Sequence, residues 1–227
     1  MQRFALLAFL LPFGGLAMGQ PAGNPAHVTT IPYARDGTPV DADFPAPLHL
    51  KNTGGSDGPR GPGSGSGLCV FTSIENNARY SNCRILQGFQ HWMTRKPGGG
   101  WPEKVDAMIA LYSKEQNASK PAYVQVEGND LAIVKAAVRT GRMVGVTYAV
   151  SPTGRYGGKR IAHMLNLVAA GAGEGPDGKG WWAIVDNNFP RSWEWMSEAQ
   201  FLRAYAGGSQ GWMFCLLNPP PPPAPLH

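Results

Sequence analysis

Cys69 stands where a glycine-rich stretch gives way to a helical pattern, Gly65-Ser66-Gly67-Leu68-Cys69-Val70-Phe71-Thr72-Ser73. A thiol at a helix start faces unpaired backbone N–H groups and the positive end of the helix dipole, and both favour the nucleophilic thiolate. The same N–H groups are suited to hold a developing oxyanion. Such a nucleophile needs a base. Of the five histidines, His27 and His49 fall in a Pro/Gly-rich arm, His227 in a proline tail, and His91 in Gln-His-Trp-Met on a short helix. His163 differs, because it lies early in the apolar run Ile161-Ala162-His163-Met164-Leu165-Asn166-Leu167-Val168. A buried strand seldom carries a histidine without a partner. One strand further on, Trp182-Ala183-Ile184-Val185 ends in Asp186-Asn187-Asn188, which offers a side-chain oxygen to orient an imidazole. Taken one at a time, a buried cysteine, a satisfied core histidine and a polar turn account for the same residues.

The elements that must position these groups follow from periodicity. Helical spacing of Val70, Phe71, Ile74 and Ala78 predicts a helix from Cys69 to about Asn82. Ile85 to Thr94 is a second helical piece. Trp101-Pro102 opens a third, with Val105, Met108, Ile109 and Tyr112 as its stripe and proline in the first turn. The second half changes character. Ala122–Glu127 alternates like a strand, Asp130–Thr140 is an amphipathic helix closed by Gly141, and strand-like runs follow at 143–150, 161–170, 181–187 and 211–217. Ser197 and Gln200 form a capping box at a last short helix. Helices first and strands second predict an α+β protein with two lobes.

Composition sets the surroundings. Apolar residues at 43% and charged residues at 15% allow a packed core and exclude the disordered class. Net charge is +5, without a basic stripe interleaved with aromatics, which argues against nucleic-acid binding. Met1-Gln2-Arg3, the apolar stretch Phe4–Leu11 and the small residues Ala17 and Gly19 read as a signal peptide cleaved near Gly19. The run is interrupted at Pro12 and Gly14-Gly15, too soon for a membrane span. The expected division is therefore signal peptide 1–19, extended Pro/Gly-rich arm 20–51, catalytic domain 52–217 and proline-rich tail 218–227. The tail, with five consecutive prolines, reads as a polyproline rod that serves as a spacer or as a docking segment. No spacing of Cys or His suggests a metal site.

Four segments, in this order, resemble the papain-like cysteine peptidases. Cys69 with its aliphatic–aromatic helix is similar to the nucleophile helix of that family. Gly98-Gly99-Gly100-Trp101-Pro102 resembles its Gly-Gly-aromatic-Pro segment, Ile161-Ala162-His163-Met164-Leu165 its histidine strand, and Ile184-Val185-Asp186-Asn187-Asn188-Phe189 its Ile-Val-Lys-Asn-Ser-Trp. The resemblance implies a two-lobe fold, with a helical N-terminal lobe, a β-rich C-terminal lobe and the cleft between them. It implies a Cys69-His163-Asn187 triad, with Asp186 as the alternative orienting residue. Gly99, Gly100, Trp101 and Phe189 would bind a protein or peptide substrate, without a cofactor. The family's oxyanion glutamine falls at Gly63 here. The Cys69 N–H then remains as donor, with Ser64, Ser66 or Asn52 as alternatives for the second. The family's large inhibitory propeptide has no counterpart in residues 20–60. The expected function is a secreted or periplasmic cysteine peptidase or amidase. Its alternatives are a degenerate papain-like domain that binds a partner protein, or an acyl transferase or cell-wall amidase on the same fold. Three cysteines in an oxidising compartment, with the nucleophile kept free, predict a Cys83–Cys215 disulfide tying the lobes together.

Overall fold

The computed structural model describes residues 40–41, 50–55, 67–152, 154–170, 181–207 and 211–219. The signal peptide, most of the arm, Ser64, Ser66 and the run of prolines after Pro219 lie outside them. In chain order the elements are β1 (Val40–Asp41), α1 (Cys69–Tyr80), α2 (Phe89–Met93), α3 (Pro102–Glu115), β2 (Tyr123–Glu127), α4 (Leu131–Arg139), β3 (Val144–Tyr148), β4 (His163–Ala170), β5 (Trp181–Val185), β6 (Ser192–Ser197), α5 (Glu198–Ala206) and β7 (Trp212–Leu216). A short 3-10 turn, Arg84–Leu86, splits the second helical piece. The strands form one antiparallel sheet in the order β1-β6-β5-β4-β3-β7-β2. The architecture is α+β, as the order of helical and strand-like patterns predicts. No described helix is long and apolar enough to cross a membrane.

Strand alternation distributes the core to both faces of this sheet. Leu165 and Leu167 of β4, Trp182 and Ile184 of β5, and Met213 and Cys215 of β7 pack beneath α4 and α5. Met164 of β4 and Trp212, Phe214 and Leu216 of β7 pack against α1, α2 and α3. Further along that face, Val168, Trp181, Ala183, Trp193 and Trp195 gather around Tyr80. Helix α1 is the centre of the arrangement, with all but two of its residues buried. Its Phe71, Ile74 and Ala78 join the apolar cluster, whereas Ser73 and Asn76 hydrogen-bond β4.

Two expectations fail here. Strand β6 was not anticipated, since its segment places Glu194 among tryptophans. Glu194 is fully buried, and its Oε1 accepts from Tyr148 Oη and Ser151 Oγ, both at 2.8 Å. Those partners sit more than 40 residues away in sequence. The Cys83–Cys215 disulfide is also absent: all three cysteines are free. Cys83 lies in the cluster under α1–α3 and Cys215 in the cluster under α4 and α5. Because Cys215 alternates with Phe214 and Leu216, its side chain leaves β7 on the far face of the sheet.

Candidate active site

Cys69 is the first residue of α1, and no side chain caps the start of the helix. The earliest N–H groups of a helix have no intrahelical acceptor, so they surround the cysteine with partial positive charge. Cys69 is partly exposed and lines a cleft of about 670 Å³. His163 lines the same cleft, at the start of β4. The two side chains lie close enough for each to shift the other's ionisation. His163 Nε2 lies 2.8 Å from Asp186 Oδ1, which leaves Nδ1 as the ring nitrogen facing the thiol. Asp186 is fully buried just past the end of β5. Its Oδ1 also accepts from the Asn188 N–H at 2.8 Å, and Tyr156 Oη donates to its Oδ2. Arg155 Nη1 stands 3.9 Å from that same oxygen.

The partner of the imidazole is therefore Asp186 and not Asn187, a correction to the expected triad. Register supplies the reason. Leu167 pairs with Ile184, and Asn166 with Val185. Continuing that antiparallel pairing sets Asp186 on the face of Leu165 and His163, and Asn187 on the opposite face with Met164. There Asn187 Nδ2 lies 3.1 Å from the Cys69 carbonyl, 3.0 Å from Ser73 Oγ and 2.9 Å from the Met164 carbonyl.

The electrostatics favour an ion pair. Burial opposes charge on the Cys69 thiol, but His163 and the Met164 and Val70 backbone outweigh it and hold the thiol below its usual range. Burial likewise pushes His163 down, yet the Asp186 bond and the Cys69 charge raise it to about 9. Asp186 is held below the ordinary carboxylate range, since His163, Tyr156 and the Asn188 N–H more than offset its burial. The arrangement favours a proton on His163 beside a Cys69 thiolate.

Around this centre the remaining expected residues divide. Gly99, Gly100 and Trp101 line the cleft, with Trp101 about half exposed at its rim. Gly99 donates its N–H to the Gly67 carbonyl at 2.9 Å. Phe189 is a correction. It is absent from the cleft wall, and its ring packs edge-on against Tyr156 at 5.7 Å, beneath the Arg155 guanidinium at 4.7 Å. Asn52 does reach the cleft. Its Oδ1 accepts from the Leu68 N–H and its Nδ2 donates to Asn188 Oδ1, both at 3.0 Å. Its own N–H donates to the Asn187 carbonyl at 2.8 Å. His91 is exposed on α2, away from the site.

Sequence reasoning missed Tyr156 and Arg155. Both lie in the Gly-rich β3–β4 connection, where no periodicity marks a residue as inward-facing. Among the described residues, no group of three or more His, Cys, Asp or Glu is placed to hold a metal ion. Comparisons with protein-family models, with curated proteins and with solved structures find no match.

Proposed function

We propose that this protein is a cysteine hydrolase of amide bonds, a peptidase or amidase with a papain-like arrangement of helices and sheet about its cleft. The observation that carries the proposal is the Cys69-His163-Asp186 row at the uncapped start of a buried helix. Cys69 thiolate attacks the carbonyl carbon, and His163 Nδ1 donates its proton to the leaving amine. His163 then takes a proton from water, whose oxygen attacks the thioester and releases the acid. Asp186 keeps Nε2–H fixed and stabilises the imidazolium throughout. The Cys69 N–H is suited to the oxyanion. Asn52 is the second donor, because its Nδ2 has two hydrogens and Asn188 Oδ1 engages one. Asn52 thus takes the part that Gly63 cannot fill. Gly100 is the glycine placed to pair with a substrate backbone, since Gly99 spends its N–H on Gly67. The apolar N-terminal segment supports export of this hydrolase.

The test is alkylation by iodoacetamide between pH 5 and 8, with hydrolysis of a quenched fluorescent casein measured in parallel. One thiol, Cys69, reacts fast at the acid end, and its modification removes hydrolysis. Cys69→Ala abolishes turnover with less than about 1–2 kcal/mol change in stability, as the side chain lost is small. Hydrolysis that survives Cys69→Ala, or slow uniform labelling of all three cysteines, overturns the assignment.

A further inference from the structure

The Asn187 carboxamide is displaced from the imidazole, yet it is fully buried and its surroundings are unusual. Three acceptors converge on Nδ2: the Cys69 carbonyl in the first turn of α1, Ser73 Oγ one turn later, and the Met164 carbonyl next to His163. Ser73 Oγ itself donates to the Met164 carbonyl at 3.0 Å. Asn187 Oδ1, by contrast, is buried without a hydrogen-bond partner among the described residues. An orphaned buried carbonyl costs about 1–3 kcal/mol.

We propose that Asn187 is a positioning residue that clamps the cysteine helix to the histidine strand, and so sets the Cys69–His163 approach. The inference rests on the proposed hydrolase reading. Helix α1 and strand β4 are distant in sequence, and near the site a donor just past the end of β5 bridges both. The carbonyls it joins belong to Cys69 itself and to the neighbour of His163. Two N–H bonds on one rigid amide leave little freedom for the helix to slide along the strand. The next polar link between α1 and β4 lies one helical turn deeper, where Asn76 Nδ2 donates to Asn166 Oδ1 at 3.2 Å and Asn166 Nδ2 to the Ser73 carbonyl at 3.0 Å. That link holds the helix but touches neither reacting residue. The ionisable groups about the clamp are Cys69 on α1, His163 on β4, Asp186 just past the end of β5, and Tyr156 with Arg155 from the β3–β4 connection.

The experiment compares iodoacetamide alkylation of Cys69 from pH 5 to 9 in full-length wild type, Asn187→Ala, Asn187→Asp and Asn76→Ala, each checked for folding by thermal melting. Displacing a reacting pair by an ångström costs on the order of 10²-fold. In Asn187→Ala the acid-side alkylation rate and kcat fall roughly 10- to 100-fold while KM changes little. In Asn187→Asp the introduced carboxyl can donate to one of the two carbonyls, and only when protonated, so reactivity recovers in part at low pH and is lost as pH rises. Asn76→Ala loses stability without moving the profile. Should Asn187→Ala not fold, Asn187→Asp at low pH still reads the clamp. An unchanged profile in a folded Asn187→Ala, or an equal shift in Asn76→Ala, overturns the proposal and leaves the hydrolase reading intact. A wild-type enzyme with no acid-side thiolate refutes the hydrolase reading instead.

Discussion

Replacing Asp186 by Asn removes one charge at nearly constant shape. Tyr156 and the Asn188 N–H retain a polar group to bond, so the fold should persist. His163 changes most. Its pKa of about 9, against an ordinary 6.5, is reached although burial pushes it down. That gap corresponds to about 3 kcal/mol in favour of the imidazolium. Without the carboxylate, the burial penalty remains and only Cys69 still raises the imidazole, so the imidazolium should titrate clearly below 9. Losing most of that gap is worth up to roughly 10²-fold in rate at neutral pH. It reaches about 10⁴-fold if the amide also stabilises the wrong ring tautomer. The assay is the pH dependence of kcat/KM, with Cys69 alkylation as an independent readout. The alkaline limb should move down from about 9. An alkaline limb that stays near 9 in Asp186→Asn would falsify the assignment of Asp186 as the group that holds the imidazolium.

The same ion pair predicts an unusual stability profile. His163 is raised and Cys69 lowered, so from the pH at which the folded thiol ionises up to about 9 the folded pair holds one proton, as the unfolded pair does between about 6.5 and 9. A raised histidine alone loses stability as pH rises through that window, and a lowered thiol alone gains it; here the two offset, and urea unfolding should be flat. A decline of about 3 kcal/mol across the window would mean that the thiol keeps its proton. At the cleft wall, a Cβ on Gly100 would lie 2.7 Å from Val70 Cβ and Cγ2. Gly100→Ala should therefore cost about 1–3 kcal/mol and weaken substrate binding, and adding Val70→Ala should relieve this only in part, because alanine keeps the Cβ at 2.7 Å, as judged by thermal melting and KM.

Much of the local structure was legible from residues alone, because helices and strands announce themselves through periods of 3.6 and 2. The Cys69 helix, the Pro102 helix and the Ser197–Gln200 capping box fall where those patterns place them. Cys69 and His163 were legible as candidates for a related reason: a thiol at a loop–helix junction and a histidine in an apolar strand are locally anomalous. The choice between Asp186 and Asn187 was not. It depends on the pairing of β4 with β5, which decides the face each neighbour takes. The same holds for Cys83 and Cys215, whose separation follows from the sheet between them. Tyr156 and Arg155 carry no local signal, since loop residues acquire a direction only when the loop docks. Sequence period determined which segments are helix or strand and which residues are chemically out of place. Register and packing decided which of those residues meet, because contacts across 90 residues or more, such as Asn76 with Asn166 or Asn187 with Cys69, are set by how whole elements fit and not by their neighbours in the chain.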